Sequence, residues 1–186
     1  MDCLMNGLGT HDTVRILTAL GNEYFETREE RAHAALSLEK LEQAKKLLRL
    51  ASLLQFTLPG VPCIYYGDEA GLEGYEDPFN RRCYPWGQED TALIDWYKTL
   101  LAVRKGCPAF GGGSYRTLTA QDGVLVFTRT LEDSRTTICA NLSTEDFVLD
   151  VSPADAVLLQ HNCAQAENSL CVSHKGCAII EAGGGE

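Results

Sequence analysis

Apolar residues recur along the first 110 positions at intervals of three and four and beyond Gly111 in short alternating runs, so the chain divides into a helical part and a strand-rich part. Thr13 to Leu20 reads as a short helix, with Gly21 suited to a left-handed cap. Thr27 and Glu30 form a capping box for a helix over Glu29 to Leu36. The strongest pattern runs from Leu38 to Thr57. There Leu41, Ala44, Leu48, Ala51 and Leu54 make an apolar stripe, and Glu39, Glu42, Lys45, Lys46 and Arg49 take other positions. Pro59-Gly60 ends it. Val61 to Tyr66, apolar and bounded by Pro62 and Gly67, predicts a strand covered on both faces. From Asp90 or Thr91 a further helix reaches Lys105 and buries Leu93, Ile94, Tyr97, Leu100 and Leu101, with Gly106 and Pro108 as stops.

Past Gly111-Gly112-Gly113 the pattern predicts strands at Tyr115 to Ala120, Val124 to Thr130, Thr136 to Leu142, Phe147 to Val151, Val157 to Gln160, Leu170 to His174 and Cys177 to Glu181. Gln121-Asp122-Gly123, Glu132-Asp133-Ser134 and His174-Lys175-Gly176 supply the turns. Strands this closely spaced, with no helix between them, predict an antiparallel β-sandwich. The fold expected is therefore α/β followed by all-β, with a flexible tail over residues 183–186 and no internal repeat.

Composition narrows the function classes. With 186 residues and 45% hydrophobic content the chain can build a sizeable core. Its net charge of −10 argues against nucleic acid and against anionic membrane surfaces, both of which call for basic patches. The longest apolar stretch, Leu47 to Tyr66, is broken by Arg49, Gln55, Pro59 and Pro62, too often for a membrane span of ~20 apolar residues. Met1-Asp2-Cys3-Leu4 does not read as a signal peptide. Cys3, Cys63, Cys83, Cys107, Cys139, Cys163, Cys171 and Cys177 form no CxxC pair, and Cys63 is expected to be a small buried thiol. Reduced structural thiols in a cytoplasmic protein are the expectation. His11, His33, His161 and His174 are scattered, giving no zinc signature, and no Gly-rich phosphate loop precedes a helix, so neither metal nor cofactor is implied.

Candidate chemistry lies where acidic residues follow apolar runs. At a barrel strand's C-terminal end such residues face the reaction. His11-Asp12 is one such place, with a helix N-cap as its structural reading. Asp68-Glu69 is another, where alternation along a strand favours loop anchoring over joint catalysis. Asp77 and Arg81 lie four residues apart in a polar segment, where a surface salt bridge between them is the structural reading. Among the aromatic residues, Tyr75 and Trp86 lie in a polar loop and are candidates for stacking on a ligand.

Three segments carry a family resemblance: Gly9-Thr10-His11-Asp12-Thr13, Pro59-Gly60-Val61-Pro62-Cys63-Ile64-Tyr65-Tyr66-Gly67-Asp68-Glu69, and Glu76-Asp77-Pro78-Phe79-Asn80-Arg81-Arg82-Cys83-Tyr84-Pro85-Trp86. Together they resemble the last two strand-helix units of an α-amylase superfamily glycoside hydrolase (family 13), in its neopullulanase and cyclomaltodextrinase branch. Thr10 stands where many relatives have Asn or Ser. The resemblance implies residues 1–110 as the end of a (β/α)8 TIM barrel and 111–182 as an antiparallel β-sandwich domain. It implies Asp12 as the carboxylate that stabilises the transition state, with His11, Asp77 and Arg81 binding sugar hydroxyls of an α-glucan oligosaccharide. A whole barrel takes ~250 residues, and no segment here resembles the strands that carry the family's nucleophile and general acid. The expectation is the C-terminal portion of a retaining α-glucan hydrolase, inactive alone and prone to self-association through uncovered barrel surfaces. The alternative is a non-catalytic glucan-binding or protein-interaction module.

Overall fold

The computed structural model describes residues 4–183, which form two compact units. One comprises Met5–Gln55 and Val61–Lys98, the other Leu4, Phe56–Gly60 and residues 99–183. The expectations for Cys3 and for tail residues 184–186 lie outside the described residues.

In chain order the elements of the helical part are β1 (Met5–Gly7), α1 (Ile16–Gly21), α2 (Arg28–His33), α3 (Leu38–Thr57), β2 (Val61–Cys63) and α4 (Thr91–Gly106). The first unit is built on β1 and β2, which pair in parallel with Met5 opposite Val61 and Gly7 opposite Cys63. The three helices between them make the crossover that parallel strands require. Gln55, 4% exposed, joins the strands to α3: its amide donates to the carbonyls of Asn6 at 2.9 Å and Cys63 at 2.8 Å. Leu17, Leu36, Ala44, Leu48 and Leu93 form the core beneath, with Leu8, Ile16, Leu20 and Leu41 packed against it.

Several local expectations change. Helix α1 begins at Ile16 rather than Thr13, because the backbone before it bonds elsewhere: the Thr13 carbonyl accepts from Asn80 and the Arg15 amide donates to Gly74. Its left-handed cap is Asn22 (φ 48°), not Gly21. Gly21 instead permits close packing, since a Cβ there would meet the Leu36 side chain at 2.5 Å. Helix α2 has the expected capping box but stops at His33; the Leu36 amide donates to Glu73 at 2.6 Å. Strand β2 is shorter than predicted and not covered on both faces. With β1 as its one strand neighbour in a two-stranded sheet, it leaves Val61, Cys63 and Ile64 exposed, and Cys63 is not the buried thiol expected.

Helix α3 has the predicted bounds, but burial spreads around its C-terminal half to Leu50, Ser52, Leu53, Gln55, Phe56 and Thr57. Along α4, Leu93, Tyr97 and Leu100 are buried at helical spacing while Leu101 is exposed. Asp90 caps α4, its Oδ1 accepting the Leu93 amide at 3.0 Å.

The second unit holds α5 (Ala109–Gly112), a turn of helix at the point where the sequence pattern changes, and then β3 (Ser114–Gln121), β4 (Val124–Leu131), β5 (Ser134–Asn141), β6 (Phe147–Asp150), β7 (Ala156–Gln165) and β8 (Ser169–Glu181). These six strands form one curled antiparallel sheet in the order β3-β4-β5-β8-β6, with β7 also paired to β8. The two strands predicted on either side of His174-Lys175-Gly176 are one. Lys175 takes φ 59° without reversing the chain, because β8 is held by β6 at its start, by β5 at its end and by β7 at both. Val124, Val126, Cys139, Val151, Leu170, Val172, Ala178 and Ile180 make the core of this unit. Cys139 lies in it as a structural thiol, pushed up to about 12 by burial. Among the described residues no helix is long and apolar enough to cross a membrane.

Candidate functional site

The predicted site residues come from two loops of the first unit, one after β1 and one after β2. Both are organised around a charge the sequence reading had passed over. Arg15, 1% exposed, precedes α1. Its Nε donates to the Asn80 carbonyl at 2.7 Å, and its Nη1 donates to the Tyr66 carbonyl and, at 3.2 Å, to Asp68 Oδ1. The guanidinium lies over the rings of Tyr65 and Tyr66, 4.1 and 4.5 Å from their centroids. One cation thus ties the end of β2, the start of α1 and the loop holding Asn80.

Asp68 is the anion of this buried pair and is 2% exposed. Burial pushes its carboxyl up to about 6, with the Glu69 charge adding to the rise and Arg15 opposing both. The Glu69 carboxylate accepts the Gly67 amide at 2.9 Å. Asp68 and Glu69 are therefore loop anchors, which is the role that strand alternation favoured.

Above this anchor the four predicted residues form one chain of contacts. His11 Nε2 lies 3.2 Å from Asp12 Oδ2; Asp12 Oδ1 lies 3.7 Å from Arg81 Nη2; and Arg81 Nε donates to Asp77 Oδ1 at 2.8 Å. The side chains of Asp12 and His11 are 71% and 63% exposed, those of Asp77 and Arg81 52% and 45%. Asp12 is not an N-cap: α1 begins four residues later behind Arg15, which makes no side-chain cap. The surface pairing of Asp77 with Arg81 is present, and Arg81 also reaches toward Asp12. Solvated pairs of this kind contribute about 0–1 kcal/mol each. The cluster can therefore exchange its internal contacts for hydroxyl groups of a ligand at small cost.

Of the two aromatic candidates, Tyr75 is buried, edge-on to Phe25, its hydroxyl donating to the Glu23 carbonyl. Trp86 is 81% exposed and lies tilted against Tyr84, with ring centroids 4.5 Å apart. Among the described residues no three His, Cys, Asp or Glu side chains gather as a metal ion would need. The residues missed were Arg15 and Asn80. Arg15 leaves a trace in the sequence, a lone charge inside the apolar run Val14 to Leu17. Asn80 leaves none, because its partners are 67 and 69 residues away.

The α-amylase catalytic-domain model matches residues 3–105. Amylopullulanase of Thermoanaerobacter thermohydrosulfuricus is 37% identical over 82% of this chain and 10% of its own length. Cyclomaltodextrinase of Geobacillus thermopakistaniensis is 32% identical over 92% of this chain and 27% of its own. Among solved structures, an acarbose-soaked debranching enzyme of Nostoc punctiforme superposes on 96% of this chain and 33% of its own, with a TM-score of 0.72 and 26% identity. The chain thus spans between a tenth and a third of the length of these relatives.

Proposed function

Because the chain belongs to the α-amylase family, we propose that it forms the C-terminal portion of a retaining α-glucan hydrolase acting on α-1,4 bonds, either alone or together with α-1,6 bonds, of maltodextrin, cyclodextrin or pullulan. In this reading residues 1–110 supply the last two units of a (β/α)8 barrel and residues 111–182 an antiparallel β-sandwich domain. The nucleophile and general acid come from polypeptide outside these residues. On the same reading the protein works in a reducing, cytoplasmic setting with its cysteines as structural thiols.

The observation that carries the reading is the contact chain from His11 through Asp12 and Arg81 to Asp77, assembled from two loops and open to solvent. Cleavage of a glycosidic bond passes through an oxocarbenium-like state in a distorted ring, helped by hydrogen bonds to ring hydroxyls that strengthen in that state. Asp12 accepts such bonds and places a negative charge near the developing cation. Arg81 and His11 donate to hydroxyl oxygens, and Asp77 accepts from a hydroxyl while its 2.8 Å contact holds the Arg81 guanidinium in orientation. Asp68 and Arg15, buried beneath, contact no ligand.

Titration of the chain with maltoheptaose tests this. Measurable binding is expected, weakened at least about tenfold by Arg81→Ala or Asp12→Asn, each of which removes a charged hydrogen-bonding partner. The chain alone is expected to release no reducing sugar. Absence of binding, or binding indifferent to both substitutions, would overturn the reading.

A further inference from the structure

Solvated ion pairs alone do not hold the side chains of two loops in one geometry, so a buried contact must set where Asp12 stands. We propose that Asn80 is that positioning residue: it clamps the backbone on both sides of Asp12 and thereby fixes Asp12 against Arg81. The inference rests on the reading of this cluster as a glucan-binding site.

Asn80 is completely buried. Its Nδ2 donates to the His11 carbonyl at 2.7 Å and to the Thr13 carbonyl at 2.7 Å, the two peptide oxygens that flank Asp12. Facing two acceptors, the amide can present only its NH2 group there. Its Oδ1 has no hydrogen-bond partner, so donation is the whole polar role of this side chain. The Asn80 carbonyl in turn accepts from Arg15 Nε at 2.7 Å, which fixes the clamp to the buried Arg15–Asp68 pair. Gly74 makes room for it, since a Cβ there would meet the Phe79 carbonyl oxygen at 2.5 Å. Asn80 directly precedes Arg81 and follows Asp77 by three residues. A single buried amide therefore references the Asp12 backbone to the segment that presents Arg81 and Asp77. The bonds between Thr10, Asp12 and Thr13, such as those from the Asp12 amide to Thr10 Oγ1 at 3.2 Å and from the Thr13 amide to the Thr10 carbonyl at 3.3 Å, shape the turn from within.

The test uses the full chain, labelled for NMR, with Asn80→Ala, Asp12→Asn and Asn141→Ala. Asn141 is an equally buried Asn whose Nδ2 donates to the Glu145 and Val172 carbonyls in the other unit, so its loss reports on destabilisation alone. In Asn80→Ala the Arg81 Nε–H and His11 ring resonances are expected to move to the positions they take in Asp12→Asn, and Asn141→Ala should leave both in place. The Kd for maltoheptaose should rise by about tenfold to a hundredfold, as a displacement near 1 Å costs at a positioned group. A folded Asn80→Ala with both resonances at wild-type positions would overturn the proposal. If that variant does not fold, Asn80→Ser, which keeps one donor, decides on the same resonances. The spectra need no glucan. A wild-type chain that binds none overturns the hydrolase reading, while resonances that respond as stated still establish the clamp.

Discussion

Asp68 and Arg15 show how one buried pair can serve a site it does not enter. The pair crosses from the loop after β2 to the start of α1, and removing either charge strands the other in a site nearly without water. The Asp68 carboxyl is raised from 3.8 to about 6, so between those values the folded chain binds more protons than the unfolded one. The contribution of this residue to stability therefore falls as pH rises through that window. Asp68→Asn, which keeps an acceptor for Arg15 and cannot titrate, should flatten that part of the profile. Urea midpoints taken at intervals from pH 4 to 7 would check it, and an unchanged slope would contradict the assignment. His11, Asp12, Asp77 and Arg81 could be picked out in the sequence as candidates because they lie in the short motifs that carry the family resemblance. Asn80 was not, since a buried Asn inside a loop looks like any other turn residue until its acceptors are known.

At the scale of elements, the helices follow the local code where their ends are capped by neighbours in sequence. The capping box of Thr27 and Glu30 forms, with the Glu30 amide 3.1 Å from Thr27 Oγ1 and the Thr27 amide 2.9 Å from Glu30 Oε2. Asp90 caps α4 and also pairs with Lys45 of α3 at 2.9 Å. Burial raises its pKa, but the Lys45 and Leu93 bonds outweigh that and hold it below 3.8. Its contribution is thus present above 3.8 and lost as pH falls below it, opposite in sign to that of Asp68. Asp90→Ala should cost about 1–2 kcal/mol at neutral pH, read as a lower urea midpoint, and should cost less at pH 3. Strands were harder. The turn at Asp122-Gly123 was recognisable because both residues take positive φ between Gln121 and Val124, whereas Lys175 has the same backbone sign and no turn follows. What differs is the hydrogen bonding of β5, β6 and β7 to β8, which lies 12 or more residues away in sequence for most of its partners.

For the molecule as a whole, the two-stranded parallel sheet is the exposed point. Parallel strands ordinarily have both faces covered, yet Met5 is 73% and Val61 57% exposed, and these two are direct partners across the sheet. Ile64 and Tyr66 are further exposed apolar side chains just beyond β2, whereas Leu8 packs against the helical core. Such a surface drives association. Sedimentation velocity is expected to show concentration-dependent oligomers, shifted toward monomer by Met5→Lys with Val61→Lys. A monodisperse monomer across the accessible concentration range would count against the proposal that these strands complete a larger barrel.

The sequence by itself determined the order and type of the main elements, the split between a helical and a strand-rich part, and the residues of the candidate site. These depend on periodicity, caps and short motifs, all read within a few residues. Tertiary structure decided where α1 begins, which strands merge into β8, how far β2 is covered and what holds Asp12 in place. The coverage of β2 turns on its having one strand neighbour; the others turn on a buried polar group or a backbone hydrogen bond whose partner is far along the chain, and burial makes satisfying that group obligatory without marking it in the local pattern.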